Sequence, residues 1–381
     1  MRNFDVKWGV LSSSPPTACG IATFTTALGD ALVRRGDDIN LVRILDGTDA
    51  VSASPFGVVS ELIAGDASSI ERAAWALNRC DVALIQHEYG LYGGLDGDDV
   101  VTVMRQLQVP VVSVLHTVLS EPTAHQRAVL NDVIELSTCV VVMTSAAEMT
   151  LRRRYLVGDV TVRVIPHGAA LGVVRATPNL DQNPLLLTWG LIGPGKGIEW
   201  VIDAMANLRD LSPRPRYIVA GRTHPKVLVH EGDRYRRFLE RRVKDSGVAD
   251  MVFFDNNYRP LASLNLLIAN VALVLLPYDS ADQATSGVLV DAIAAGRPVI
   301  ATSFPHSLEM LSSGAGMVVE HRNPRALSDA IRQIITQPAL AEAMASEARR
   351  IAPSLSWDCV ALRYVDLARE VLHHATLPVS A

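Results

Sequence analysis

This chain of 381 residues has no cysteine framework. Its four cysteines (Cys19, Cys80, Cys139 and Cys359) lie far apart and form no C-x-x-C pair. That speaks against a disulfide scaffold or a zinc ribbon and fits a reducing cytosol. No excess of one charge is present: 20% of residues are charged and the formal net charge is −5. This balance points to no nucleic-acid partner. The N-terminus carries Arg2, Asp5 and Lys7 and lacks a signal-peptide h-region. No apolar run is long enough to cross a membrane. These absences predict a cytoplasmic protein without a transmembrane segment, with peripheral membrane contact left open. The G-x-G-x-x-G fingerprint is also absent, which weighs against a dehydrogenase or a sugar-nucleotide epimerase that uses it.

Hydrophobic residues make up 49% of the chain, enough for large cores in two or three domains. Short β-branched runs alternate with helical patterns, which predicts parallel α/β architecture. In the first half the strands are Val6–Leu11, Ile39–Ile44, Val82–Gln86, Val111–Leu115, Val140–Met143 and Thr161–Ile165. The pattern breaks after Pro166-His167-Gly168, and residues 169–183 read as a linker. A second series runs over 184–355, with strands at Leu185–Trp189, Tyr217–Ala220, Val252–Phe254, Val271–Leu276, Val299–Ala301 and Met317–Val319. A last helical stretch over 356–375 has no strand after it and is expected to pack back on the domain of residues 1–168. Two Rossmann-like domains facing across a cleft would bind ligands at the carboxyl ends of their strands.

The richest segment runs from Gln283 to Ile300. A polar loop holding Thr285, Ser286 and Gly287 opens into a short apolar helix that begins at Val288 and is stopped by Gly296. The first turn of a helix has unpaired N–H groups with partial positive charge, so this loop offers an anion site. Asp291 lies about 7 Å further down the helix axis. A phosphate at the tip and a carboxylate below it suit a nucleotide diphosphate with its ribose; an ordinary crossover loop is the plain alternative.

Gly190-Leu-Ile-Gly193-Pro-Gly195-Lys196-Gly197 nearly matches a P-loop, but Gly197 replaces the metal-binding hydroxyl. Its glycine N–H groups and one ammonium still suit a phosphate, against a tight turn with a solvated lysine. Gly20 opens the first helix and allows close backbone approach; a capping loop is the alternative. His116 follows a strand at the edge expected to face the cleft. Gln86-His87-Glu88-Tyr89-Gly90 lies at the end of another and, with Tyr92-Gly93-Gly94, reads as a sugar-binding loop. His87 and Glu88 lack an i, i+4 partner and make a poor metal pair. Asp96-Gly-Asp98 reads as a solvated loop. The Arg234–Asp245 helix, with acids between its arginines, reads as a solvated face.

Together these residues resemble the GT-B glycosyltransferases, specifically the retaining family 4, over nearly the whole chain. The resemblance implies that Cys19-Gly20-Ile21 contacts donor and acceptor, that His116 lies beside the reacting sugar, and that Lys196, after Gly195, binds donor phosphate. It is carried also by Val164-Ile-Pro-His-Gly168 and by Ala220-Gly-Arg222. Two departures stand out. The family's E-x7-E signature appears as Gln283 and Asp291, and its frequent phosphate-binding arginine is missing from Gly190–Gly195, a role Arg222 would share. The resemblance implies a metal-independent, cofactor-free hexosyltransferase with Lys196, His116 and Gln283 as catalytic groups. Donor binding would fall to Gly20, Gly195, Arg222, Thr285, Ser286, Gly287, Val288 and Asp291. The partners would be a nucleotide-diphosphate sugar and a glycan, lipid or small-molecule acceptor. A degenerate nucleotide-sugar-binding protein and a GT-B epimerase are the rival readings. The base, sugar and acceptor stay open.

Overall fold

The computed structural model describes residues 5–17, 19–45, 55–171, 183–257, 259–280 and 283–376. Most of the expected linker therefore lies outside the described residues. The chain forms two compact units, one of Met1–Gly168 with Trp357–Ala381 and one of Ala169–Ser356.

The first unit runs β1 (Lys7–Ser12), α1 (Gly20–Arg34), β2 (Asp38–Leu45), β3 (Gly57–Ile63), α2 (Ala67–Leu77), β4 (Val82–His87), α3 (Asp99–Met104), β5 (Val111–Leu115), α4 (Ala124–Glu135), β6 (Cys139–Val142), α5 (Ser145–Arg154) and β7 (Thr161–Val164). Its strands form one parallel sheet in the order β3-β2-β1-β4-β5-β6-β7. The central strands are apolar on both faces because helices cover both faces: β4, β5 and β6 are buried at every residue. β3 is an edge strand and mostly exposed, with only Leu62 fully inside. Ser60 and Glu61 interrupt its apolar residues, so no unbroken buried run marks it and it was not expected.

The second unit contains β8 (Leu185–Trp189), α6 (Ile198–Ala206), β9 (Arg216–Ala220), α7 (Pro225–Glu231), α8 (Arg234–Asp245), β10 (Val252–Asp255), α9 (Leu261–Asn270), β11 (Leu273–Leu276), α10 (Gly287–Ala294), β12 (Val299–Thr302), α11 (Pro305–Leu311), β13 (Gly316–Val319), α12 (Pro324–Thr336) and α13 (Pro338–Ile351). The sheet order is β10-β9-β8-β11-β12-β13. Counted from the first strand of each unit, the first sheet reads 3-2-1-4-5-6-7 and the second 3-2-1-4-5-6, both in the doubly wound order. The order reverses between β1 and β4 in one unit and between β8 and β11 in the other. Loops leaving these strands splay apart there and open a crevice at the carboxyl edge.

The last helix, α14 (Trp357–Thr376), belongs to the first unit. Val360, Ala361, Tyr364, Val365 and Ala368 recur at helical spacing and share a core with Phe24, Leu28 and Leu32 of α1. Burying each large apolar side chain there contributes about 1.5–3 kcal/mol. Arg34 pairs with Asp358 at 2.6 Å at the edge of this contact, an exposed bridge that adds little. Gly168 fits against Trp357, where a Cβ would come within 2.4 Å of the indole.

Candidate functional site

At the carboxyl edge of the second sheet, β8 ends in the glycine loop. Gly197 caps α6 with φ +64°, and a Cβ there would lie 1.7 Å from the Pro277 carbonyl oxygen. Only glycine fits that position, so the hydroxyl that would complete a P-loop is sterically excluded. Gly195 donates no side chain to the turn, but its carbonyl accepts the Asp279 N–H at 2.9 Å, tying the loop to the end of β11. Lys196 is part-buried, with its ammonium 4.4 Å from the centre of the Tyr278 ring. Such a cation–π contact orients the ammonium without neutralising it. Lys196 makes no ion pair among the described residues. The nearby Asp279 carboxylate is engaged by Trp200 Nε1 at 2.8 Å and Arg322 at 3.3 Å.

The tip of α10 lies beside this loop: a Cβ built on Gly190 would meet Val288 Cγ2 at 3.9 Å. Within the Thr285-Ser286-Gly287 loop expected to offer an anion site, the Ser286 N–H is already engaged. That N–H donates to Nδ1 of His306 at 2.8 Å, while the Ser286 hydroxyl caps α10 by accepting the Leu289 N–H at 3.3 Å. The unengaged first-turn donors are the N–H groups of Gly287 and Val288, since a helix supplies no acceptor for its first N–H groups. His306 is buried at the start of α11, and its own N–H reaches the Gln283 carbonyl at 3.4 Å. The Gln283 amide donates to the Thr285 carbonyl at 2.6 Å, so this side chain closes the loop on itself. One turn below the tip, burial pushes the Asp291 carboxyl up to about 7. A cavity of about 110 Å³ opens on the other side of Gly190, lined by Trp189, Ala220, Arg222, Asn257, Arg259 and Leu264 among others.

The corresponding edge of the first sheet is built of aromatic and neutral polar groups. Phe24 of α1 meets the edges of His116, His167 and Trp357, with centroids 5.0, 5.2 and 5.1 Å away. His116 Nε2 lies 2.6 Å from Gln86 Oε1, and its backbone N–H donates to the His87 carbonyl at 3.0 Å. Burial first, then His167 and His87 beside it, push His116 down to about 3, so the ring is neutral. His87 and Tyr89 were expected in an open loop and are instead enclosed. His87 is the last residue of β4 and 1% exposed, with neither ring nitrogen bonded and its pKa pushed by burial to about 4. Tyr89 is buried against Tyr155, their hydroxyls 3.3 Å apart. Of that trio Glu88 is the more accessible; it accepts from the Thr117 hydroxyl and from the Tyr89 N–H at 3.1 Å. Gly20 is exposed as the first residue of α1, and a Cβ there would meet nothing within 4 Å. Among the described residues no cluster of three histidine, cysteine or acidic groups is placed to hold a metal. No described helix is long and apolar enough to cross a membrane.

Sequence reasoning missed Tyr278 and His306, which follow the carboxyl ends of β11 and β12 as His116 follows β5, whereas Gln86 was read with His87, Glu88 and Tyr89 as part of the sugar-binding loop.

Two doubly wound units, with the last helix returned to the first, form the GT-B fold of the glycosyltransferases. The sucrose-phosphate synthase of Thermosynechococcus elongatus superimposes with a TM-score of 0.77 over 97% of this chain and 100% of that one, at 20% identity. HepE of Anabaena, in complex with UDP and glucose, gives 0.76 over 96% and 100%, at 16% identity. Residues 174–351 match the family model of the glycosyl transferases group 1. The D-inositol 3-phosphate glycosyltransferase of Rhodococcus opacus is 24% identical over 90% of this chain and 83% of its own length.

Proposed function

We propose that this protein is a retaining glycosyltransferase that moves a hexose from a nucleotide-diphosphate sugar to an acceptor hydroxyl. The observation that carries the proposal is the meeting, at Gly190 and Val288, of a lysine-bearing glycine loop and a helix tip with two unengaged N–H groups. A diphosphate placed there receives hydrogen bonds from Gly287 and Val288 and charge from Lys196. The cavity beside Trp189 and Arg222 takes the nucleoside, and Asp291 takes ribose hydroxyls. HepE, whose structure holds UDP and glucose, supports a donor of this class.

In the reaction the bond from the anomeric carbon to phosphate breaks and a bond to the acceptor oxygen forms on the same face. The acceptor proton passes to the departing phosphate oxygen. Lys196 and the α10 tip stabilise the charge that develops on that phosphate. These groups take the role a metal ion fills elsewhere, so the reaction is proposed to need neither metal nor cofactor. His116 orients a sugar hydroxyl, Glu88 offers a further acceptor, and exposed Gly20 allows substrate close to the backbone. The acceptor is a glycan, a lipid or a small molecule.

A thermal-shift screen with UDP, GDP and ADP in EDTA tests the reading, followed by product analysis with the matching sugar donors. One diphosphate should raise the melting temperature by several degrees, because it binds the folded state alone. No shift with any of the three would overturn the donor assignment. A shift without turnover would identify a binding protein, and an epimerised donor with no acceptor consumed would identify an epimerase.

A further inference from the structure

We infer that Gln86 is a positioning residue that holds His116 as its Nε2–H tautomer and leaves Nδ1 as a hydrogen-bond acceptor for a sugar hydroxyl. Gln86 is fully buried near the end of β4, and with Oε1 turned to His116 its amide nitrogen has no hydrogen-bond partner among the described residues. The Tyr92 hydroxyl donates to its backbone carbonyl at 2.7 Å, which pins this end of the strand. Its Oε1 faces His116 Nε2 at 2.6 Å. A carboxamide oxygen has lone pairs only, so the proton in that bond belongs to the imidazole. A neutral imidazole has one N–H, and committing it to Gln86 leaves Nδ1 with a lone pair. His116 Nδ1 has no partner among the described residues and is not among the fully buried, unbonded atoms.

The ring is held on its other sides as well. Phe24 packs edge-on, and the His116 N–H is anchored to β4 through the His87 carbonyl. The titratable groups that act on the ring are His167, after β7, and His87, at the end of β4. Both sit in the same buried surroundings and are pushed to about 4. No positive partner competes at physiological pH, and His116 stays a neutral acceptor rather than a double donor. The sugar contact rests on the proposed function; the tautomer does not.

The test uses the full chain labelled with 15N-histidine and long-range proton–nitrogen correlation. The His116 signals are assigned by their loss in His116→Ala. Between pH 6 and 8 the wild type should show Nε2 protonated and Nδ1 bare. An Nδ1–H tautomer or an imidazolium at His116 would overturn the inference, whatever the activity. Gln86→Leu keeps the volume and removes the acceptor. It should give mixed tautomers and lower kcat about tenfold, the worth of roughly one net hydrogen bond, with donor KM little changed. An unmixed Nε2–H ring in a folded Gln86→Leu would equally overturn it. Gln86→Glu retains an acceptor and adds charge. It should keep Nε2 protonated but raise the ring's pKa, giving the rate an acid limb absent from the wild type. A pH profile identical to wild type in that variant would contradict the pairing. If no nucleotide-sugar donor is turned over, the reaction proposal fails while the tautomer result stands.

Discussion

The two units share one strand order and differ in the chemistry of their carboxyl edges. The edge of the second sheet is electropositive and made largely of backbone. It presents glycine turns, one ammonium over an aromatic ring, and two unengaged N–H groups. The edge of the first sheet is made largely of side chains, with three histidines held uncharged by burial, His116 also by His167 and His87, and with Glu88 as its carboxylate. One edge suits the neutralisation of phosphate, the other the orientation of hydroxyl groups. The doubly wound order fixes where a ligand binds, and the residues in the switch-point loops decide what it is.

The sharpest way to break this comparison is Lys196→Ala. If the second edge supplies charge to a leaving phosphate, kcat should fall by roughly 10²–10³ in turnover assays. The melting temperature should barely move, since Lys196 makes no ion pair and touches Tyr278 only through the ring face. Near-normal turnover would remove the phosphate assignment. Gly20→Ala probes the other edge with a smaller expected effect. The protein has room for that methyl group, so folding should be unaffected. A substrate held close to the backbone would feel it, lowering kcat/KM about tenfold, a 1.4 kcal/mol effect. Unchanged kinetics would show that substrate does not approach α1 there.

The smallest effect concerns Asp291. Its carboxyl keeps a proton up to about pH 7 in the folded chain, against an ordinary value of 3.8. Between those values the folded state holds the extra proton, so stability falls as pH rises through that window. From pH 5 to pH 8 the wild-type melting temperature should fall by roughly 3 °C more than that of Asp291→Asn, measured by calorimetry. Parallel curves would show that the Asp291 carboxyl titrates no differently in the folded chain.

Most of the sheet framework was legible in the sequence because parallel strands covered on both faces appear as short, unbroken apolar runs. Val111–Leu115 and Leu185–Trp189 are strands with the expected bounds. The elements that escaped notice share two causes. β3 lies at an edge, and Ser60 and Glu61 interrupt its apolar residues, so burial left little mark on it. Helices α7, α11 and α13 each begin with a proline, Pro225, Pro305 and Pro338, which reads as a breaker although the first helical turn accepts it. Missing α11 hid His306, and with it the bond that occupies the Ser286 N–H. Residue spacing alone marks the loops but not which of their donors are already engaged.

The ends of the second unit lie side by side, the Ala169 N–H donating to the Leu355 carbonyl at 2.8 Å. The first unit likewise brings its own cut ends together, with Gly168 against Trp357. The chain is thus one folded body carrying another as an insert, joined at a single locus. In genetic terms the second unit is a cassette. Residues 169–356 can be exchanged for a relative's segment by two cuts whose products meet at one place in space. Such a swap disturbs neither sheet, so donor preference can change hands without redesign of the half that receives it.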